Sequence, residues 1–223
     1  MGGTKLSQHN LTSVSDQQFR DMLRQLASGV ALVTSSRGGR CCGLTATWFC
    51  PVSFEPPLLL VSLQHQTATA HGIDESRAFG VSVLPDKAQE VAGRFGLAGH
   101  VTKFEGIPFQ NGVCGAPLLR SAHASIECTL WDRWRVGDHV AYVGRVVGAQ
   151  ASSVSHPLVH YQGTFLKLGL DPIGPGLPPG ASHAEDISSP VGLPNQWAQR
   201  ETTSAYERHG PNDPLTGGEP DGA

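Results

Sequence analysis

Residues 125–147 read SIECTLWDRWRVGDHVAYVGRVV, and the alternation inside this stretch decides the fold. Ile126, Cys128 and Leu130 alternate with Ser125, Glu127 and Thr129, the period of two expected of a strand with one buried face. RVGDH forms a turn, and Val140 to Val147 is a second β-rich run. Further along the chain, Tyr161 to Leu168 continues the sheet. Before it, Val30 to Ser36, Cys42 to Val52, a buried Leu58 to Leu63, and Phe79 to Leu84 read as short strands, with RGGR at 37–40 as a tight turn and the second strand ending near Pro51. Helices are few. Ser15 and Gln18 make a capping box ahead of Phe19, Met22, Leu23 and Leu26 at helical spacing. Thr69 to Glu75 and Asp86 to Phe95 are two more, with Asp86 as the N-cap of the latter. This pattern predicts a mainly β, antiparallel barrel rather than a doubly wound sheet. There is neither GxGxxG after a strand nor GxxxxGKS/T, which removes the dinucleotide-fold and nucleotide-hydrolase classes.

Composition divides the chain near residue 170. Residues 1–170 carry 14 Lys+Arg against 11 Asp+Glu, whereas 171–223 carry 2 against 8, with nine of the 16 prolines and eight of the 27 glycines. So polar a segment buries too little surface to offset the entropy of ordering it. The expected organisation is a flexible N-terminus over 1–14, one domain over 15–170, and a Pro/Gly-rich acidic tail over 171–223, disordered or lid-like.

The longest apolar run, around Pro56 to Val61, is far short of the roughly 20 residues that span a bilayer, and Met1 to Gln18 lacks the apolar core of a signal peptide. The reading is a cytoplasmic protein with no membrane role. No dense basic stripe with interleaved aromatics marks a nucleic-acid surface. The five cysteines, at 41, 42, 50, 114 and 128, are odd in number and form no CxxC pair. They are expected to be buried free thiols in a reducing compartment. The histidines lack metal-site spacing, so no metal is expected.

The segments FRDMLRQLASGVALVTS (19–35), GLTATWFCPVSFEPPLLLVSL (43–63), FGVSVL (79–84), AGRF (92–95), WRVGDHVAYVGRVV (134–147) and PLVHYQGTF (157–165) stand in a distinctive order. Together they resemble the flavin reductase-like family, whose fold is an FMN-binding split barrel. The likeness runs from about Phe19 to Phe165. It implies an antiparallel split β-barrel with a few peripheral helices, assembled as a homodimer with the flavin near the interface. It also implies an NAD(P)H:flavin oxidoreductase, the reductase component of a two-component flavin-dependent monooxygenase. Such a protein passes hydride from NADH or NADPH to FMN or FAD and supplies reduced flavin to a partner monooxygenase. Two alternatives share the fold: a non-enzymatic flavin-binding protein, and a flavoenzyme acting directly on an organic substrate.

The resemblance also implies roles for residues. Thr45, Ala46, Thr47 and Trp48 match the flavin-cradling stretch, and Ser62 and Leu63 join them as cofactor-binding candidates; otherwise the threonines serve strand propensity. Trp48 stands where many relatives carry a small residue, and either stacks on or beside the ring or points away into the barrel. Thr67 and Thr69 match phosphate-binding hydroxyls at a helix N-terminus, or else simply cap the helix. The family's basic position beside them is Ala68 here, which predicts weaker flavin binding, with His65 a partial substitute. Arg94 and Phe95 match a motif near the ribityl and phosphate, or are a solvated arginine beside a core phenylalanine. His139 of the GDH motif is the catalytic candidate. It is placed to position the hydride donor or meet charge developing on reduced flavin, with Asp138 orienting its ring, where the ordinary reading is a surface-loop histidine. Tyr161 stands at the pocket rim or packs as a strand aromatic. Hydride transfer between two cofactors needs no protein nucleophile, in keeping with the lack of a GxSxG elbow.

Overall fold

The computed structural model describes residues 14–97, 102–152 and 155–169. The acidic tail and, apart from Val14, the expected flexible N-terminus lie outside the described residues. In chain order the elements are α1 (Asp16–Leu23), β1 (Ser28–Gly29), β2 (Ala31–Arg37), β3 (Arg40–Ala46), β4 (Phe49–Phe54), β5 (Pro57–Gln64), α2 (Ala68–Ser76), β6 (Ala78–Val83), α3 (Gln89–Gly96), β7 (Phe109–Asn111), β8 (Pro117–Leu119), β9 (Ala124–Val136), β10 (His139–Ala151), β11 (Leu158–Tyr161) and β12 (Thr164–Lys167). The capping box forms: the Ser15 hydroxyl accepts the Gln18 N–H at 3.2 Å, and Gln18 Oε1 accepts the Ser15 N–H at 2.9 Å.

Seven strands form one antiparallel sheet in the order β3-β2-β6-β9-β10-β5-β4. Its two edge strands, β3 and β4, are neighbours in sequence, separated only by Thr47 and Trp48. Two residues span less than about 10 Å, so the sheet curls until its edges converge at that bend. Among the described residues no ladder joins β3 to β4, and the sheet is not closed by hydrogen bonds.

The alternation of β2 divides the interior. Ala31 and Val33 face one core with Val61, Leu63, Ala70, Ile73, Phe79 and Tyr142. On the other side, Leu32 and the preceding Val30 face a second core with Leu84, Ala92, Phe95, Leu119 and Leu158. Helices α2 and α3 therefore lie on opposite faces of the same strand, each covering one set of its side chains.

Several expectations are corrected. The run from Cys42 to Val52 breaks at Thr47–Trp48 into β3 and β4. Pro51 does not end its strand, because β4 is an edge where a missing N–H costs no ladder bond. Along β5 only Leu59, Val61 and Leu63 are buried, so that strand has one core face, not two. Tyr161 to Leu168 is not one strand of the main sheet: it folds as the hairpin β11–β12, turning at Gln162 and Gly163, and pairs with β1 in a separate three-stranded sheet. Asp86 caps nothing. It is buried and paired with Lys167 Nζ at 3.3 Å, while α3 begins three residues later behind Ala88. All five cysteines are free, but only Cys128 is buried, and Cys41 and Cys50 are exposed. Among the described residues no helix is long and apolar enough to cross a membrane.

Candidate functional site

The turn between β2 and β3 places Gly38 at φ 52° and Gly39 at φ 74°, the two left-handed positions of a type I′ hairpin. Such a turn makes Arg37 and Arg40 a hydrogen-bonded pair, and pairs then alternate along the ladder. Cys41, Gly43 and Thr45 consequently turn their backbone N–H and C=O away from β2, towards the open edge. That edge lines a cavity of about 840 Å³, within the usual range for cofactor sites.

Residues 41–48 form one stretch of the wall, joined by Ser62, Leu63 and Gln64 at the end of β5, Gln66 to Thr69 at the start of α2, and His139 at the start of β10. The rest of the lining comes from the end of α3 and the residues after it: Phe95, Gly96, Leu97, Lys103 and Phe104. Gly43 suits this packing, since a Cβ on it would stand 3.0 Å from the Phe104 ring and 3.2 Å from that of Phe95, and those rings would have to give by a few tenths of an ångström.

Of the candidates read from the sequence, Thr45, Ala46, Thr47, Trp48, Ser62, Leu63, Thr67, Thr69, Phe95 and His139 all line this cavity. Arg94 and Tyr161 do not. Arg94 turns to the Glu105 carbonyl, to which it donates at 2.9 Å, and to Glu90 at 3.6 Å. Tyr161 ends β11 in the small sheet. Phe104 and Lys103 were missed because they lie in an aperiodic connection. The only signal was a lysine set beside a phenylalanine with no acidic residue within the preceding turn of sequence.

Several hydroxyls are already committed. Thr45 Oγ1 donates to the Ala92 carbonyl at 2.8 Å, tying β3 to α3, so this residue offers a ligand its backbone rather than its side chain. Thr67 caps α2: its Oγ1 accepts the Ala70 N–H at 3.2 Å and donates to the Gln64 carbonyl at 2.9 Å. The N–H groups of Ala68 and Thr69 have no acceptor within the helix, and no acidic residue occupies its first turn.

At the bend Trp48 faces the cavity, its ring centroid 4.9 Å from that of His139 at an interplanar angle of 34°. His139 Nδ1 lies 2.7 Å from Asp138 Oδ1. The His139 hydrogen bond holds the Asp138 carboxyl below its usual range. With Nδ1 held by this carboxylate, Nε2 is the nitrogen left for a ligand. Asp138 is fixed in turn, its carbonyl accepting from the His65 backbone N–H at 3.2 Å and lying 2.9 Å from His65 Nδ1. His65 thus braces the GDH turn.

A family comparison decides what this arrangement belongs to: residues 22–169 match the family described as flavin reductase like domain. The chain belongs to the flavin reductase-like family. Among its relatives is the actinorhodin polyketide dimerase of Streptomyces coelicolor, 37% identical over 151 residues, covering 67% of this chain and 85% of that protein. Another is the reductase subunit HsaB of a flavin-dependent monooxygenase of Rhodococcus jostii, 31% identical over 160 residues, covering 72% and 80%. Among solved structures, the Streptomyces globisporus NADH:FAD oxidoreductase SgcE6, in complex with NAD and FAD fragments, superposes with a TM-score of 0.67 at 27% identity, covering 73% of this chain and 99% of that one. The flavin reductase-like cavity fits a flavin nucleotide on its own terms. It combines an unpaired strand edge, aromatic walls, the N-terminus of α2 and a lysine, with no Asp or Glu among the described residues that line it.

Proposed function

We propose that this protein is an NAD(P)H:flavin oxidoreductase that reduces FMN or FAD with NADH or NADPH and supplies the product to a partner monooxygenase. The supporting observation is the single cavity wall that runs from the open edge of β3, through Trp48, to a histidine oriented by its neighbouring carboxylate. A flavin bound there would accept hydride from reduced nicotinamide. The chain's part is to hold the two rings in register and keep water out. The backbone of 43–47 meets the polar edge of the ring, while Phe95, Phe104 and Trp48 supply apolar faces. His139, its Nδ1 held by Asp138, presents Nε2 to the charge that develops on the ring during transfer.

The curled sheet, whose edges converge at Thr47–Trp48, works as a split barrel and pairs as a homodimer. Phe19 and Met22 of α1, Leu26 just after it, and Trp131, Trp134 and Val136 of β9 are exposed apolar residues that a second copy would cover. Elution of the purified protein at monomer mass would remove this part of the reading. Exposed free thiols at Cys41 and Cys50 suit the reducing cytoplasm.

The test is oxidation of NADH and NADPH with FMN, FAD or no added flavin, for wild type and His139→Ala. Turnover that requires added flavin and falls about ten- to a hundred-fold in the variant is expected. No turnover with any pairing would sink the proposal. The similarity to a protein named as a polyketide dimerase favours a second reading, direct action on an organic substrate. Substrate-dependent nucleotide oxidation without a partner would select it.

A further inference from the structure

The geometry points to His65 and Arg135 as positioning residues for the reaction, a pair that sets His139 by clamping the turn beside it; the inference rests on the reductase reading. Neither residue lines the cavity. Arg135 stands on β9 one residue before its end, and His65 follows the last residue of β5. Between them lies the turn of Gly137 and Asp138, just beyond the final ladder pairs Val136↔His139 and Gln64↔His139. The strands therefore give the turn itself no further hold.

The pair takes over where the ladders stop. Arg135 Nε donates to the Gly137 carbonyl at 3.3 Å, and its Nη2 lies 3.4 Å from His65 Nε2. His65 Nδ1 lies 2.9 Å from the Asp138 carbonyl, which also accepts the His65 backbone N–H at 3.2 Å. A guanidinium only donates and a carbonyl only accepts. Both contacts thus assign His65 the same neutral tautomer, with the proton on Nδ1 and the lone pair on Nε2. A proton on Nε2 would set one donor against another. Both carbonyls of the turn are held, one by Arg135 directly and one through His65.

The hold matters because of what the turn carries. The Asp138 side chain is 79% exposed, so packing does not fix it, yet its carboxylate meets His139 Nδ1 at 2.7 Å. Pinning the Asp138 backbone from behind limits where that carboxylate can stand. Through it, His139 keeps its ring beside Trp48 and its Nε2 towards a ligand. Aligned transfer between two bound rings tolerates little displacement of the groups that position them. With both ring nitrogens committed, His65 has no donor left for a phosphate and does not replace the cation absent at Ala68.

The experiment measures kcat, and KM for flavin and for reduced nicotinamide nucleotide, in wild type, His65→Ala, His65→Asn, Arg135→Met, His139→Ala and the His65→Ala/His139→Ala double variant. Urea unfolding checks that each is folded. His65→Ala is expected to lower kcat roughly three- to tenfold with both KM values within about twofold of wild type. His65→Asn, whose amide donates from the place of Nδ1, restores most of the loss, and Arg135→Met, one contact further away, loses about twofold. In the His139→Ala background His65→Ala brings no further loss, because a residue that acts through His139 has nothing left to act on. A purely structural role gives the same loss in both backgrounds, and that result overturns the proposal. So does an unchanged kcat in His65→Ala, a raised KM at unchanged kcat, or asparagine no better than alanine. Should the His65 variants fail to fold, nitrogen NMR of the imidazole rings in wild type decides. A proton on Nδ1 of His65 is expected there, and a proton on Nε2 overturns the proposal. Wild type that oxidises neither nucleotide with any flavin overturns the reductase reading first, and this proposal with it.

Discussion

On one side of the cavity, Ser62, Leu63 and His139 are set in a ladder in which β5 and β10 pair continuously from Leu58↔Arg145 to Gln64↔His139. Elsewhere in its lining, Leu97, Lys103 and Phe104 follow the end of α3 and, among the described residues, stand outside any strand. The first wall is positioned by backbone hydrogen bonds, so a changed side chain leaves the wall standing. The second is positioned by rings: Phe95, Phe104 and Phe109 pack on one another with centroids between 4.8 and 6.1 Å. There, side-chain identity is what keeps the backbone in place. A ligand site built from both has a rigid edge for recognition and a packed flap whose side chains tune it.

Phe95→Ala breaks this contrast most severely. The side chain is 1% exposed, and its loss should cost about 3–5 kcal/mol, a large part of the roughly 5–15 kcal/mol that holds a domain together. Urea unfolding would read the loss, and flavin binding should weaken with it because Phe104 and Lys103 lose their support. Stability within 1 kcal/mol of wild type would show that the second wall does not depend on its rings.

A smaller effect is expected from Thr45→Val, which keeps the shape of the β3 side chain but removes the donor to the Ala92 carbonyl. The cost should be about 1 kcal/mol in the same unfolding assay. Flavin affinity should stay close to wild type, because Thr45 offers its backbone to the cavity. A tenfold loss of flavin affinity without loss of stability would instead assign the hydroxyl to the ligand.

The smallest change is expected at the ladder's end. Asp138→Asn keeps an acceptor beside His139 Nδ1 but removes an exposed charge, and turnover should fall by about two- to five-fold. The folded carboxyl lies below its ordinary 3.8. Its contribution to the fold is therefore complete above that value and is lost as pH falls through the lower, folded one. An acid limb of the stability profile confined below pH 3.8 in wild type, and diminished in the variant, is the expected signature. A limb near neutrality unaffected by the substitution would mean that another group sets it.

Much of the fold was legible because its signals are local. The period of two in 125–130, the glycine turn at 38–39 and the capping box at Ser15 each depend on neighbours within a few residues, and each forms. Asp86 was misread because its spacing ahead of a helical run imitates a cap, whereas its charge is met by Lys167 some eighty residues later. The hairpin β11–β12 was misread as a strand of the main sheet because alternation marks a strand without naming its partner. Of the cavity's lining, the stretch from Thr45 to Trp48, Ser62 and Leu63, Thr67, Thr69 and His139 were named beforehand from motifs in register. Lys103 and Phe104 carry no such pattern. Arg94, adjacent in sequence to the cavity-lining Phe95, leaves the cavity because consecutive residues on a helix point about 100° apart.

By itself the sequence determined most of the strands of the main sheet, the alternation of β9, the glycine turn between β2 and β3 and the family resemblance, since spacing and turn chemistry act over a few residues. Tertiary structure alone decided that β3 and β4 become the two converging edges of one sheet. It also brought Trp48 against His139 and set Lys103 and Phe104 in the lining of the same cavity as the start of α2. The physical reason is that these juxtapositions follow from long-range strand pairing and ring packing, whose partners lie tens of residues apart and leave no mark on local spacing.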